Sequence, residues 1–424
     1  MINRILNTFG TKTLAAVINL LIAIVLSRFL GPEGKGQQGL IITTIAFILV
    51  FSNIVGGGTL VYLVPRYSYS KLFIPSYVWS FLISILSYLI LELLHIVESR
   101  FILNICILSA INSFVSINST LLIGKEKIKT SNFISISQPF ITIVALVILF
   151  GWIGKTDVMS YLIALYMAFC ITWLISMYYV IRVFGKLEIT FSNQVRVIKD
   201  MFRYGFLNQL AHITQFMSFR LSYYFIDMYH GEGSVGVYSN GISIVESIWL
   251  ISKSISLVQY ARIANVNDEK YAQKISIILL KGSIIVSFFL LIILLILPIS
   301  FYTFVFGKGF EEIKLAIWML APGVLIYNIS IILGHYFSGR GKYHLNTISS
   351  SIGLLVSIMC YFLLIPRYNI MGAGGATSIS YFITSLCVLI FFLKESKVNI
   401  RSFLISWSDI KFYWSEIKRS LTGK

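Results

Sequence analysis

The chain has 424 residues, of which 57% are hydrophobic and only 12% charged, and its formal net charge is +17. Roughly a quarter of the residues in soluble domains are charged, so a set of soluble domains is excluded. The positive excess would point to nucleic acid in a soluble chain. In a membrane protein it reflects Lys- and Arg-rich cytoplasmic loops, and no nucleic-acid partner is expected.

Apolar runs of about 20 residues, enough to cross the hydrocarbon core, recur throughout. Arg4 and Lys12 precede the first, Leu14 to Leu26. Ser27-Arg28-Phe29-Leu30 follows and is no small-x-small cleavage site, so a retained first span is expected rather than a signal peptide. Twelve spans are predicted, at about 10–30, 39–64, 73–97, 101–123, 132–153, 158–181, 204–229, 235–261, 275–305, 314–338, 344–365 and 373–393. With a cytoplasmic N-terminus, 24 Lys and Arg fall on the cytoplasmic side and 7 on the other, leaving Arg220, Lys253 and Lys281 inside spans. That asymmetry predicts a multi-pass protein with both termini in the cytoplasm.

The longest cytoplasmic connection runs from Arg182 to Arg203. Val195, Ile198, Met201 and Phe202 recur there at helical spacing among cations, predicting an interfacial amphipathic helix. Phe403, Trp407, Ile410, Trp414, Ile417 and Leu421 predict another in the tail, lying on the membrane lipids. The expected organisation is an N-terminal six-helix bundle at 1–183, an amphipathic linker at 184–203, a C-terminal six-helix bundle at 204–393 and an amphipathic tail at 394–424. The fold class is an all-α polytopic membrane protein, with about twelve transmembrane helices in two six-helix halves around a central cavity.

The halves echo each other. Gly31-Pro32-Glu33-Gly34-Lys35-Gly36-Gln37-Gln38 follows the first span, and Gly231-Glu232-Gly233-Ser234-Val235-Gly236-Val237-Tyr238 follows the seventh, 200 residues later. Gly124-Lys125-Glu126-Lys127 follows the fourth span, with Asn132 beyond. Gly339-Arg340-Gly341-Lys342 follows the tenth, with Asn346 beyond. Six spans per repeat is an even number, so the halves share one orientation and a substrate would bind between them near the midplane. Gly56-Gly57-Gly58 and Pro322-Gly323 are read either as bends or as small-residue packing sites.

Charge sits where membrane helices normally have none. Arg220 and Asp227 lie seven residues apart on one predicted helix, and Glu246 and Lys253 seven apart on the next, so each pair shares a face. Ionisable residues inside spans normally mark a functional pathway; the other reading is a structural ion pair. Arg220, Lys253 and Lys281 are candidates for an anionic group. Arg28 and Arg66, near span ends, either guide the ligand or snorkel to the headgroups. Tyr223 and Tyr224 either stack sugars or pack. Glu246, mid-span, and Asp227, near an outer end, are candidates for ion coupling, because protonating a carboxylate cancels its pairing with a cation.

Other chemistry is missing. Gly34-Lys35-Gly36-Gln37-Gln38-Gly39 fits GxGxxG, but it follows a membrane helix and not a β-strand. No GxxxxGK[ST] loop occurs. The five histidines form no HExxH, the four cysteines no CxxC, and no metal or catalytic group is expected. No loop is long enough for a polymerase or glycosyltransferase site, so the chain is read as a transporter and not an enzyme.

Arg28-Phe29-Leu30-Gly31-Pro32-Glu33-Gly34-Lys35-Gly36 resembles the R-x-L-G-P-x-x-x-G turn of bacterial polysaccharide exporters. Gly236-Val237-Tyr238 resembles their G-x-Y turn, and Gly339-Arg340-Gly341-Lys342 their G-R-x-K loop. At Gln37-Gln38 the chain departs from the pattern, which often has a large apolar residue there. The chain as a whole resembles the Wzx-type repeat-unit flippases of O-antigen or capsule synthesis, in the MOP exporter superfamily. That resemblance implies a MATE-like fold in the bacterial inner membrane. It implies flipping of a polyprenyl (undecaprenyl)-pyrophosphate oligosaccharide by alternating access, with no cofactor beyond a proton or sodium gradient. It also implies a polysaccharide polymerase and a chain-length regulator as partners. A lipid II flippase and a cation-coupled multidrug exporter of the same superfamily stay open as alternatives.

Overall fold

The computed structural model describes residues 2–185, 194–264 and 268–403. They form α1 (Ile2–Gly56), α2 (Gly58–Leu63), α3 (Tyr69–Leu94), α4 (Ser99–Gly124), α5 (Ile128–Leu146), α6 (Val158–Phe184), α7 (Gln194–Ser247), α8 (Trp249–Ala264), α9 (Glu269–Ile296), α10 (Ile299–Phe306), α11 (Ile313–Gly339) and α12 (Tyr343–Ser396). A π-helical stretch, Val147–Trp152, extends α5, and a 3-10 turn, Ile400–Phe403, follows α12.

Three of these helices are hairpins. Gly31 (φ 67, ψ −173) breaks α1, Gly231 (φ 78, ψ 174) breaks α7 and Asn369 (φ 47, ψ −126) breaks α12. Positive φ suits glycine, and Pro32, with its fixed φ, then restarts α1. Cross-arm contacts prove the reversal. Tyr223 and Tyr238 are ring neighbours at 5.9 Å, although 15 residues of straight helix span about 22 Å. Tyr361 Oη and Thr377 Oγ1 lie 3.2 Å apart across the Asn369 turn. Counting arms separately gives twelve membrane-length segments among the described residues, on the twelve predicted spans.

The differences are local. The predicted span at 275–305 is broken at Leu297-Pro298 into α9 and α10. The one at 235–261 is broken at Ile248, where the axis bends by 43°. There Ser247 Oγ donates to Ile244 O at 2.6 Å, a side-chain bond that competes with the helix ladder. Gly57 does bend its span, between α1 and α2. Gly323 does not: α11 runs through Pro322, and a Cβ on Gly323 would stand 2.5 Å from Ser378 Cα, so this glycine serves close packing. In the predicted linker, residues 186–193 lie outside the described residues, and the rest begins α7. Its inward face is Val197 and Met201, both fully buried, whereas Val195 is 82% exposed. The predicted tail helix beyond Phe403 lies outside the described residues.

The chain divides into two compact units, Met1–Asn240 with Ile299–Ile313, and Gly241–Pro298 with Lys314–Lys424. Within the first, α3 shows how the helices pack. Ser76, Ser80 and Ser84, at helical spacing, are buried, while Phe81, Leu82, Ile85, Leu89 and Leu93 are exposed. Lipid is as apolar as leucine, so small residues turn inward to let backbones approach and large ones face the acyl chains.

One close approach in the first unit is reciprocal. A Cβ on Gly36 would stand 1.8 Å from Glu232 O, and a Cβ on Gly236 2.0 Å from Pro32 O. The partners are 32 with 236 and 36 with 232, related by the 200-residue offset. The second echo also holds. Gly124 packs on Val64 in the first unit, and Gly339 packs on Ile263 in the second. The two glycine turns of the sequence repeat therefore occupy equivalent environments.

Replacing Gly236 with Ala is expected to destabilise the protein by about 1–3 kcal/mol, the range for overpacking. Gly375→Ala, where a Cβ meets nothing within 4 Å, serves as control. Thermal unfolding in one detergent compares them. Equal melting temperatures would refute the close-contact reading.

Candidate functional site

In the first unit the first arm of α7 positions Arg220, Tyr223, Tyr224 and Asp227. Arg220 is half-buried; its guanidinium donates to Phe219 O at 3.2 Å and lies 5.8 Å from the Tyr223 ring centre. Tyr223 is 4% exposed and meets Tyr238 edge-on. The Tyr224 and Thr44 hydroxyls are 2.8 Å apart. These two tyrosines therefore tie the arm to its own hairpin and to α1, with Arg220 beside them. Asp227 is half-buried with the Glu98 carboxylate as its charged neighbour. Among the described residues it makes no ion pair with Arg220, from which seven residues separate it.

Arg28 and Arg66 cap helices. Arg28 Nε donates to Val305 O at 3.0 Å, its Nη2 to Phe304 O, and its guanidinium lies over the Phe304 ring. These are the last-turn carbonyls of α10. Arg66 Nη1 donates to Tyr62 O in the last turn of α2 and covers the Tyr62 ring at 3.6 Å. Both are exposed. Cations at helix C-termini are favourable.

In the second unit Glu246 stands just before the break at Ile248. Tyr381 Oη donates to Glu246 Oε1 at 2.7 Å. Tyr381 also closes an aromatic triad with Trp249 and Tyr327, with ring centres 4.8 to 5.3 Å apart. Trp249 Nε1 donates to Val324 O at 2.9 Å, fixing the triad to α11. Lys253, one turn beyond Trp249, places its ammonium 5.4 Å from that ring. A cation over indole gains quadrupole attraction. Lys253 is exposed and Lys281, on α9, half-buried, so neither is enclosed as their mid-span positions suggested. Around them the interior is polar: Ser252 and Ser287 both donate to Asn328 Oδ1, at 2.5 and 3.3 Å.

Three groups that sequence reasoning missed are Lys35, Gln37 and Tyr381. Lys35 reads as a loop cation, yet it is 6% exposed and its ammonium donates to Gln38 Oε1. Gln38 Nε2 in turn reaches Tyr161 Oη at 3.3 Å. Lys35 lies before the predicted second span, and burial lowers it to about 8. The signal was the departure at Gln37-Gln38, polar where the family pattern has an apolar residue. Tyr381 gave none, because tyrosines in spans are common.

Residues 4–258 match the family described as polysaccharide biosynthesis protein. The chain belongs to this family. A capsular polysaccharide biosynthesis protein, CapF of Staphylococcus aureus, is 22% identical over 404 residues, 91% of this chain and 98% of that protein. Two solved structures each superpose with a TM-score of 0.73 at 15% identity. One is an inward-facing multidrug MATE transporter of the MOP superfamily, covering 90% of this chain and 94% of its own. The other is the lipid II flippase MurJ in an inward closed conformation, covering 93% and 88%. The fold of this polysaccharide biosynthesis protein is thus that of MOP-superfamily transporters, as the turn motifs implied, and it is a multi-pass membrane protein.

Removing the hydroxyl in Tyr381→Phe is expected to lower stability by about 1–2 kcal/mol, since it serves a charged acceptor in a half-buried setting. Glu246→Gln keeps an acceptor and should lose less. Thermal shifts of the two single variants and of the double variant give the coupling. Strictly additive losses would mean that the pair does not interact.

Proposed function

We propose that this protein is a flippase for a polyprenyl-pyrophosphate-linked oligosaccharide repeat unit of O-antigen or capsule, working by alternating access in the bacterial inner membrane. The observation that carries the reading is positive charge on otherwise apolar helices of a MOP fold: half-buried Arg220 in the first unit, and Lys253 and half-buried Lys281 in the second. A sugar head group cannot cross hydrocarbon, because each unsatisfied polar group there costs several kcal/mol. Its pyrophosphate is anionic and needs cations along the path, whereas its polyprenyl tail can stay in the lipid. Arg220 in the first unit, and Lys253 and Lys281 in the second, are the candidate cations for the pyrophosphate, and Tyr223 contributes a ring beside Arg220. Arg28 and Arg66 hold helix ends. Glu246, held by Tyr381 at a helix break, is the coupling carboxylate for a proton or sodium gradient, with Asp227 as the second candidate. Both termini face the cytoplasm, and a polymerase and a chain-length regulator act next.

The fold likeness to a lipid II flippase supports one further reading, a different polyprenyl-pyrophosphate cargo. The excess of cations on the spans disfavours a multidrug exporter, whose organic cations need an acidic pocket.

Complementation of a strain lacking its repeat-unit flippase tests both. Wild type is expected to restore surface polysaccharide. Arg220→Ala, inserted at equal level, should lose at least tenfold, and Arg220→Lys should keep part of the activity. Glu246→Gln should transport without responding to collapse of the gradient. Full activity of Arg220→Ala would make that residue structural. Rescue only of a lipid II flippase deletion would transfer the protein to the peptidoglycan cargo.

A further inference from the structure

The crossing of the two glycine turns carries a polar cluster that the proposed substrate path does not use. Gln37 follows Gly36, and its Nε2 donates to Glu232 Oε2 at 2.8 Å and to Glu98 Oε1 at 3.3 Å. Glu232 is the residue whose carbonyl rests on Gly36. Glu98 is the residue before α4. One side chain therefore ties the second arm of α1, the start of α4 and the second arm of α7 beside a close backbone contact. An amide NH2 has two protons, so both are spent on the two carboxyl groups.

The groups around Glu232 come from three elements. On α1 they are Gln37 and Glu33, whose Cγ lies 3.7 Å from the Cβ position of Gly233. On α4 they are Glu98 and its ion-pair partner Arg100. On α7 they are Asp227 and the adjoining His230. Lys35 turns away to Gln38. Glu232 lies in the turn between predicted spans, at a helix N-terminus that favours the anion. Burial, and then the Glu98 and Asp227 charges, outweigh that and the Gln37 hydrogen bond, raising its carboxyl from 4.5 to about 7. A cleft of about 280 Å³, lined by Gln37, Arg100, Thr156 and Asp157 among others, opens on the Gln37 side of the bridge.

We propose that this cluster is a proton-operated latch on the crossing of the two repeats. With Glu232 protonated, the Gln37 bridge holds the turns crossed. When that proton leaves to water, Glu232, Glu98 and Asp227 repel one another and the crossing parts. In the transporter proposed above, closure of that membrane face then depends on the pH at that face; this consequence rests on the flippase reading, and the latch does not.

The sign follows from linkage. The crossed state holds the proton more tightly than a parted state in which Glu232 is hydrated and titrates near the ordinary 4.5. Stability of the crossing is therefore full below about 4.5 and lost as pH rises toward about 7. The parted-to-crossed ratio rises at most tenfold per pH unit for one proton over that window, then levels.

The test places spin labels at Trp152→Cys and Met228→Cys, exposed by 86% and 72% and outside the cluster. Cys106, Cys170, Cys360 and Cys387 are replaced by Ser, and the whole chain is reconstituted in lipid nanodiscs. Double electron–electron resonance is recorded from pH 5 to 8. A longer-distance population should grow between pH 5 and 7. In Glu232→Gln the short distance should persist at every pH. In Gln37→Leu, which keeps the carboxylates and removes the bridge, the longer population should rise at every pH. A wild-type distribution independent of pH overturns the latch, as does a response unchanged in Glu232→Gln. Should that variant not insert, a wild-type profile in Gln37→Leu overturns it. A titrating crossing in a protein that restores no polysaccharide keeps the latch and sinks the cargo assignment.

Discussion

Two backbone carbonyls pressed onto two glycines, Glu232 on Gly36 and Pro32 on Gly236, set the geometry on which the first unit depends. No side chain fits at either glycine, so the helix arms meet backbone to backbone, the closest approach two helices can make. Such contact is the membrane's substitute for a hydrophobic core, because packing against lipid gives apolar side chains no preference for the interior. The reciprocity also explains why the glycines recur at a fixed offset. A pseudo-symmetric crossing requires a small residue at the same register on both arms, so the sequence repeat is a consequence of the contact.

The same economy shapes the charged residues. Three cations on apolar helices meet a carbonyl, an amide or a ring: Arg220 the Phe219 carbonyl and Tyr223, Lys253 the Trp249 ring, Lys35 the Gln38 amide. Rings and carbonyls stabilise a cation without cancelling it. Carboxylates gather around Gln37 at the crossed turns, and Glu246 accepts from a tyrosine hydroxyl.

Most of the architecture was legible in the sequence because lipid makes hydropathy and span length nearly sufficient. The hairpin turns at Gly31 and Gly231 were visible as glycine clusters, and the Asn369 turn as a gap between apolar runs. The breaks at Ile248 and Pro298 were not. A helix that bends inside the bilayer keeps its apolar composition, and the serine that perturbs it at Ser247 looks like any packing serine. In the linker helix Val195 and Val197 are equally apolar, and only the tertiary contacts show that Val197 is the buried one. At the candidate site the residue types were legible and the partners were not. Seven-residue spacing put Arg220 and Asp227 on one face, but a spacing along one helix says nothing of what the neighbouring helix offers.

Arg28 and Arg66 show what that difference means for the charge available to a ligand. Both looked like cations at a doorway. Each is instead fixed to the last-turn carbonyls of a short helix, α10 or α2. A helix C-terminus carries about half a negative charge, so each arginine is already partly neutralised where it stands, and its guanidinium is held by backbone rather than free to follow a moving head group. Arg220 differs in that its carbonyl acceptor belongs to the residue beside it, within a helix and not at its end. No terminal dipole opposes it there. Of the three arginines considered for the path, it is the one placed within a helix rather than beside a helix C-terminus.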